Sequence, residues 1–88
     1  MTKGFINTRD NAEKEAKAEI RRARRAKRFP DKAAEFRRYL AQNNLTVARE
    51  WREKGEMDKA VLAARVARGQ LIIARAWDRE AERLERTK

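Results

Sequence analysis

The chain has 88 residues, 24 Lys+Arg against 14 Asp+Glu, a formal net charge of +10 and a pI near 10.9. That length supports one small helical domain over residues 1–88 and no second core. Cys, His and Ser are all absent, so the inventory excludes disulfides, thiolate or imidazole metal sites and the usual Ser/His or Cys/His nucleophile pairs. No apolar run approaches the roughly 18 residues that span a bilayer, and the charged first thirty residues do not read as a secretory leader. The expectation is a cytoplasmic, non-membrane and non-enzymatic protein with no cofactor and no metal.

Sixteen alanines, few β-branched residues and three glycines point to an all-α fold. Residues 1–9 read as a flexible tail. The first helix is expected over about 10–28, with Asp10 as cap and Glu13 closing a capping box. Pro30 separates it from a second helix over about 31–54, which Gly55 ends. A third follows over about 57–86, so the reading is a three-helix bundle or a helical hairpin carrying a loosely packed basic first helix. On the second helix Phe36, Leu40, Val47 and Trp51 share an arc of about 60°. On the third, Leu62, Val66, Ile73, Trp77 and Leu84 form a similar stripe, and the two stripes are expected to meet as the hairpin core. Beside the latter runs a strip of small residues, Ala60, Ala63, Ala64, Ala67, Ala74 and Ala81, joined by Leu71. The first helix presents Ala12, Ala16, Ile20, Ala23 and Ala26, a thin face that stabilises weakly at about 25 cal/mol per Å² of buried apolar area. Loose docking, exchange into a homodimer, or ordering by a partner would each follow from that thinness.

The charge is unevenly spread. Residues 1–30 carry a net +6, and the remainder only +4. Of the basic residues 16 are Arg, whose planar fork suits bidentate phosphate or carboxylate contacts. The run Arg21, Arg22, Arg24, Arg25, Lys27 and Arg28 places Arg21, Arg24, Arg25 and Arg28 nearly opposite the alanine face. This segment resembles the arginine-rich helical motif of small RNA-binding peptides, such as those of lambdoid phage antitermination proteins, and the resemblance implies a helix that grips phosphates. On the third helix every arginine, Arg65, Arg68, Arg75, Arg79, Arg83 and Arg86, falls within about 80°. The row is roughly 32 Å long at 1.5 Å per residue and holds Ile72 as an apolar anchor. Its C-terminal members are expected to pair with acidic neighbours, Glu80 with Arg83 and Glu82 with Arg86, whereas Arg65, Arg68 and Arg75 have none.

Two other local patterns are weaker guides. Residues 40–51 resemble a helix-turn-helix with a break at Asn43-Asn44 and Thr46 as cap, but Glu50 and Glu53 stand where apolar packing residues belong, and a continuous helix accounts for the apolar stripe better. The corner at residues 53–60 is similar to the turn of tetratricopeptide-type repeats, without a second repeat. Trp51 and Trp77 are assigned to packing, and Phe29 and Tyr39 remain more available for stacking on bases. The reading that best joins these features is a small nucleic-acid-binding protein with little sequence specificity, for either DNA or RNA. The alternative is a protein-interaction module or inhibitor of the phage or plasmid type, docking its cationic face on an acidic or nucleic-acid-binding surface of a host protein.

Overall fold

The computed structural model describes residues 9–87, and the tail expected at the N-terminus lies outside them apart from Arg9. Three helices follow in order: α1 Arg9–Ala26, α2 Ala33–Glu53 and α3 Met57–Arg86. They form a three-helix bundle, elongated at 51 × 28 × 17 Å. α2 and α3 make an antiparallel hairpin, and α1 packs along α3 with its N-terminus toward Arg65 and its C-terminus toward Glu80.

Backbone chemistry sets the helix ends. α1 begins one residue earlier than expected, so Asp10 sits in its first turn and not at the cap, while Glu13 pairs with Arg9. It ends two residues early because Lys27 adopts a left-handed φ of 56°. The Lys27 N–H then donates to the Arg24 carbonyl and the Arg28 N–H to the Ala23 carbonyl, both at 3.1 Å, which closes a Schellman end. Gly55 does the same for α2, as expected: its φ is 81°, its N–H donates to Arg52, and the Glu56 N–H donates to Trp51. α2 is continuous through Asn43-Asn44. There the Asn44 side-chain amide donates to the Leu40 carbonyl and the Thr46 hydroxyl to the Gln42 carbonyl, so the polar residues satisfy themselves on the helix instead of breaking it. The helix-turn-helix reading is therefore set aside.

The hairpin seam departs from the expected meeting of large stripes. Small residues hold it: Ala41, Ala60, Ala67 and Ala74 are buried, whereas Phe36 is 55% exposed, Val47 39% and Leu62 45%. The reason is a seven-residue repeat on both helices, Ala34, Ala41 and Ala48 facing Ala60, Ala67, Ala74 and Ala81, the spacing that keeps one seam aligned along two paired helices. Small side chains let the backbones approach, and the larger apolar residues rotate to one flank. On that flank α1 covers Ile73 and Trp77 of α3 and leaves Phe36 and Val47 of α2 exposed. Ala12 and Ala16 of α1 are buried with Ile73 and Trp77, and Ile20, Ala23, Phe29 and Ile72 pack around them. Ile73 is the largest fully buried side chain.

α1's apolar face is as thin as its sequence implies, and polar links supplement it on both sides. On one side the Trp77 indole N–H donates to Glu19 Oε1 at 3.0 Å. Arg37 of α2 bonds Glu19 as well, and reaches Glu15 at 3.0 Å and Gln70 at 2.8 Å. One guanidinium thus joins all three helices. On the other side α1 is tied to Glu80.

Candidate functional site

The arginine row of α3 lies on the flank beside α1, and the two helices enclose two grooves running end to end. The first, about 540 Å³, is lined by Arg9, Glu13, Arg65, Arg68, Gly69, Ile72, Arg75 and Arg79. The second, about 550 Å³, continues past Arg79 between Lys17, Ile20 and Arg24 on α1 and Ala76, Glu80, Arg83 and Arg86 on α3. Glu13, Ile72 and Arg79 belong to both. Arg65, Arg68, Arg75 and Arg79 are exposed and make no ion pair among the described residues. Among the described residues the only carboxylate lining the first groove, Glu13, lies 3.5 Å from Arg9. Four guanidinium groups without an ion pair among the described residues therefore share one trough.

The C-terminal part of the row behaves differently. Glu80 is buried, 7% exposed, and receives two forks. Arg24 donates through Nε at 2.9 Å and through a terminal nitrogen at 2.7 Å, and Arg83 donates in the same way at 3.2 and 2.8 Å. These hydrogen bonds, Arg24's first and Arg83's second, hold the Glu80 carboxyl down to about 2. The hydrogen bonds to Glu80 in turn raise both guanidinium pKa values. Each guanidinium still has donors free to face solvent, but its orientation is set by Glu80. Arg24, a candidate phosphate ligand, is thus foremost the tie between α1 and α3. The expected pairing of Glu80 with Arg83 is present; no ion pair between Glu82 and Arg86 is formed.

The remaining candidates are exposed on or just beyond α1: Arg21, Arg22, Arg25, Lys27 and Arg28. At 100° per residue Arg21 lies about 40° and Arg25 about 80° beyond Lys17, which turns Arg25 away from the face that packs on α3, while Arg22 turns to the other side of the helix. Lys27 and Arg28 are in the Schellman end, beside a third cavity of about 470 Å³ with Phe29, Trp77 and Leu84 in its lining. Of that run only Arg24 lines the α1–α3 groove, and Arg21, Arg22 and Arg25 lie outside its lining. Ile72 is not an exposed anchor. It is half-buried and packs against the α1–α3 core, so it forms the floor of the groove. Phe29 packs edge-on against Trp77, with ring centroids 5.7 Å apart, and is taken up by the core; Tyr39 is exposed.

Arg9 and Lys17 were not singled out from sequence. Lys17 carried a readable signal, since it stands four residues before Arg21 and seven before Arg24 on the same helical strip. Arg9 carried none, because its role depends on α1 lying beside Arg65 and Arg68. Compared with protein-family models, curated proteins and solved structures, the chain matches none.

Proposed function

We propose that the chain is a small, non-catalytic nucleic-acid-binding protein that grips phosphates in the α1–α3 groove, with little dependence on base sequence. The observation that carries this reading is the trough of Arg65, Arg68, Arg75 and Arg79, four exposed guanidinium groups without carboxylate partners among the described residues, faced across the groove by Lys17. A phosphate backbone supplies a row of negative charge at matching scale, and contacts to it bring affinity without sequence information. Two side chains that could read base edges are otherwise engaged, Gln70 with Arg37 and Asn44 with the Leu40 carbonyl, which supports sequence-tolerant binding. The burial of Ile72 weighs against a protein hot spot at this groove, since an apolar anchor ringed by Arg would need to be exposed.

The test is a salt titration of binding to duplex DNA, single-stranded DNA and structured RNA. Five cations facing one backbone correspond to a slope of log K against log salt of about −4.5 on duplex DNA. Neutralising Arg65, Arg68 and Arg75 together is expected to flatten it by about three. A slope near zero for the wild type overturns the reading, and a stoichiometric protein partner resisting nuclease and high salt would favour the interaction-module alternative.

A further inference from the structure

The α1–α3 groove does not stop at Glu80. Arg24, Glu80 and Arg83 form a wall that the second groove shares with the third cavity, and beyond that wall aromatic and aliphatic side chains enter the lining. This third cavity, about 470 Å³, has the size of a small-ligand pocket, roughly 300–1,000 Å³. Phe29, Trp77 and Leu84 give it an apolar interior, and Arg24, Lys27, Arg28 and Arg83 set four cations around it against the one carboxylate of Glu80. We propose that the cavity receives an unpaired nucleobase from a strand whose phosphates lie in the adjoining groove. The proposal rests on the phosphate-binding reading and adds to it a contact that a single strand can make and a continuous duplex cannot.

The lining selects this occupant. Phe29 follows the end of α1, gives Trp77 an edge-on contact and stays half-buried, as does Leu84. A flat base can be held between such a ring and an aliphatic side chain, and because every base has a π-face, stacking of this kind tolerates any sequence. The guanidinium groups of Arg24 and Arg83 are oriented in advance by their paired bonds to Glu80, 2.7–3.2 Å long, and their remaining donors suit a phosphate beside the base. Lys27 adds a further sign. It holds a left-handed φ of 56°, a position that glycine fills at lower cost, and it brings an ammonium group to the cavity lining. A strained residue of this type is characteristic of ligand clamps. Neither Lys27 nor Arg28 makes an ion pair among the described residues. A wholly apolar ligand would leave the four cations unused, and inorganic phosphate would leave Phe29 and Leu84 unused. A nucleotide unit within a strand satisfies both, whereas a duplex keeps its bases stacked inside and must pay to extrude one.

The test compares an oligothymidylate with a strand of equal length made of abasic sites, which keeps the phosphates and removes the bases. The abasic strand is expected to bind about tenfold more weakly, the effect of losing one stacked base, with the same salt slope. Trp51→Phe leaves Trp77 as the single indole; its fluorescence is expected to be quenched by the oligothymidylate and not by the abasic strand or by relaxed circular duplex. Phe29→Leu keeps an apolar side chain against Trp77 and is expected to bring the two affinities together with helical circular dichroism retained. Equal wild-type affinity for the two strands, with the salt slope intact, overturns the base pocket and leaves the phosphate grip standing. A slope near zero for both overturns the two together. Thymidine monophosphate that quenches Trp77 as readily as the oligonucleotide does would assign the cavity to free nucleotides and overturn the strand proposal. The wild-type comparison does not depend on whether either variant folds.

Discussion

The two ends of the α2–α3 hairpin are built on the same pattern and have different fates. Both carry the alanine seam, and both present a stripe of large apolar residues on one flank. Near the α1–α2 connection that stripe is Ile73 and Trp77, buried under Ala12 and Ala16. Toward the Gly55 turn it is Val47, Trp51, Leu62 and Val66, exposed or half-exposed. The difference is one of length and of placement, since α1 lies over α3 and Phe36 of α2 stays 55% exposed although it is next to the α1–α2 connection. α1 has 18 residues and α3 has 30, about 27 Å against about 45 Å at 1.5 Å per residue. A third helix of that length can roof only part of the hairpin. The comparison teaches that an apolar stripe on this chain becomes core only where something covers it, and that pairing α2 with α3 does not itself do so.

The sharpest way to break the comparison is to make equivalent deletions at its two ends. Trp77→Ala removes a buried indole, its edge contact with Phe29 and its bond to Glu19, and is expected to cost about 3–5 kcal/mol. Leu62→Ala is expected to cost less than about 1 kcal/mol because the side chain is already 45% exposed. Chemical denaturation of both variants reads the contrast, and equal losses would mean that the uncovered end is as tightly packed as the covered one.

Next in size is the charged tie. Glu80→Gln removes the charge that joins α1 to α3 and replaces one of its two acceptor oxygens with an amide donor, and is expected to cost about 1–2 kcal/mol, a modest figure because both arginines can turn to water. The same group predicts an acid limb. The Glu80 carboxyl is held down to about 2 in the folded chain, below its unfolded value, so its contribution is complete above the ordinary carboxylate range and is lost as pH falls toward 2. Thermal midpoints measured between pH 6 and 2 (about the range in which carboxylates titrate) should fall more steeply for the wild type than for Glu80→Gln. Parallel profiles would show that Glu80 is not a principal tie.

The smallest expected effects concern the two helix ends. Gly55→Ala places a Cβ at φ 81° and is expected to cost about 1 kcal/mol, although nothing lies within 4 Å of that Cβ. Lys27 already bears that cost at φ 56°, so Lys27→Gly is expected to raise stability by a few tenths to about 1 kcal/mol. Opposite signs for the pair in thermal melts would tie both ends to the left-handed backbone.

Much of this was readable from local pattern. Gly55 between two alanine-rich, charge-studded runs specifies the α2–α3 turn, and the one-sided placement of Arg65, Arg68, Arg75 and Arg79 follows from their spacing on a single helix. The seam was harder to read. Hydropathy ranks Phe36, Leu40, Val47 and Trp51 above Ala34, Ala41 and Ala48, yet the alanines repeat at seven residues on both helices and admit the closer approach. Arg24 misled for a different reason: on its own helix it is one of six neighbouring cations, and only the position of Glu80, 56 residues away, gives it another role.

Helix number, boundaries to within two residues, the Gly55 stop and the direction of the arginine row all arise within single helices, where periodicity and end chemistry act over a few residues and leave their mark in linear order. Which stripe is buried, which arginines stay unpaired, and the meeting of Arg9 with Arg65 and Arg68 depend on how α1 lies against α3. Those outcomes come from competition among faces for limited cover and among cations for a few carboxylates, and such competition is settled in three dimensions.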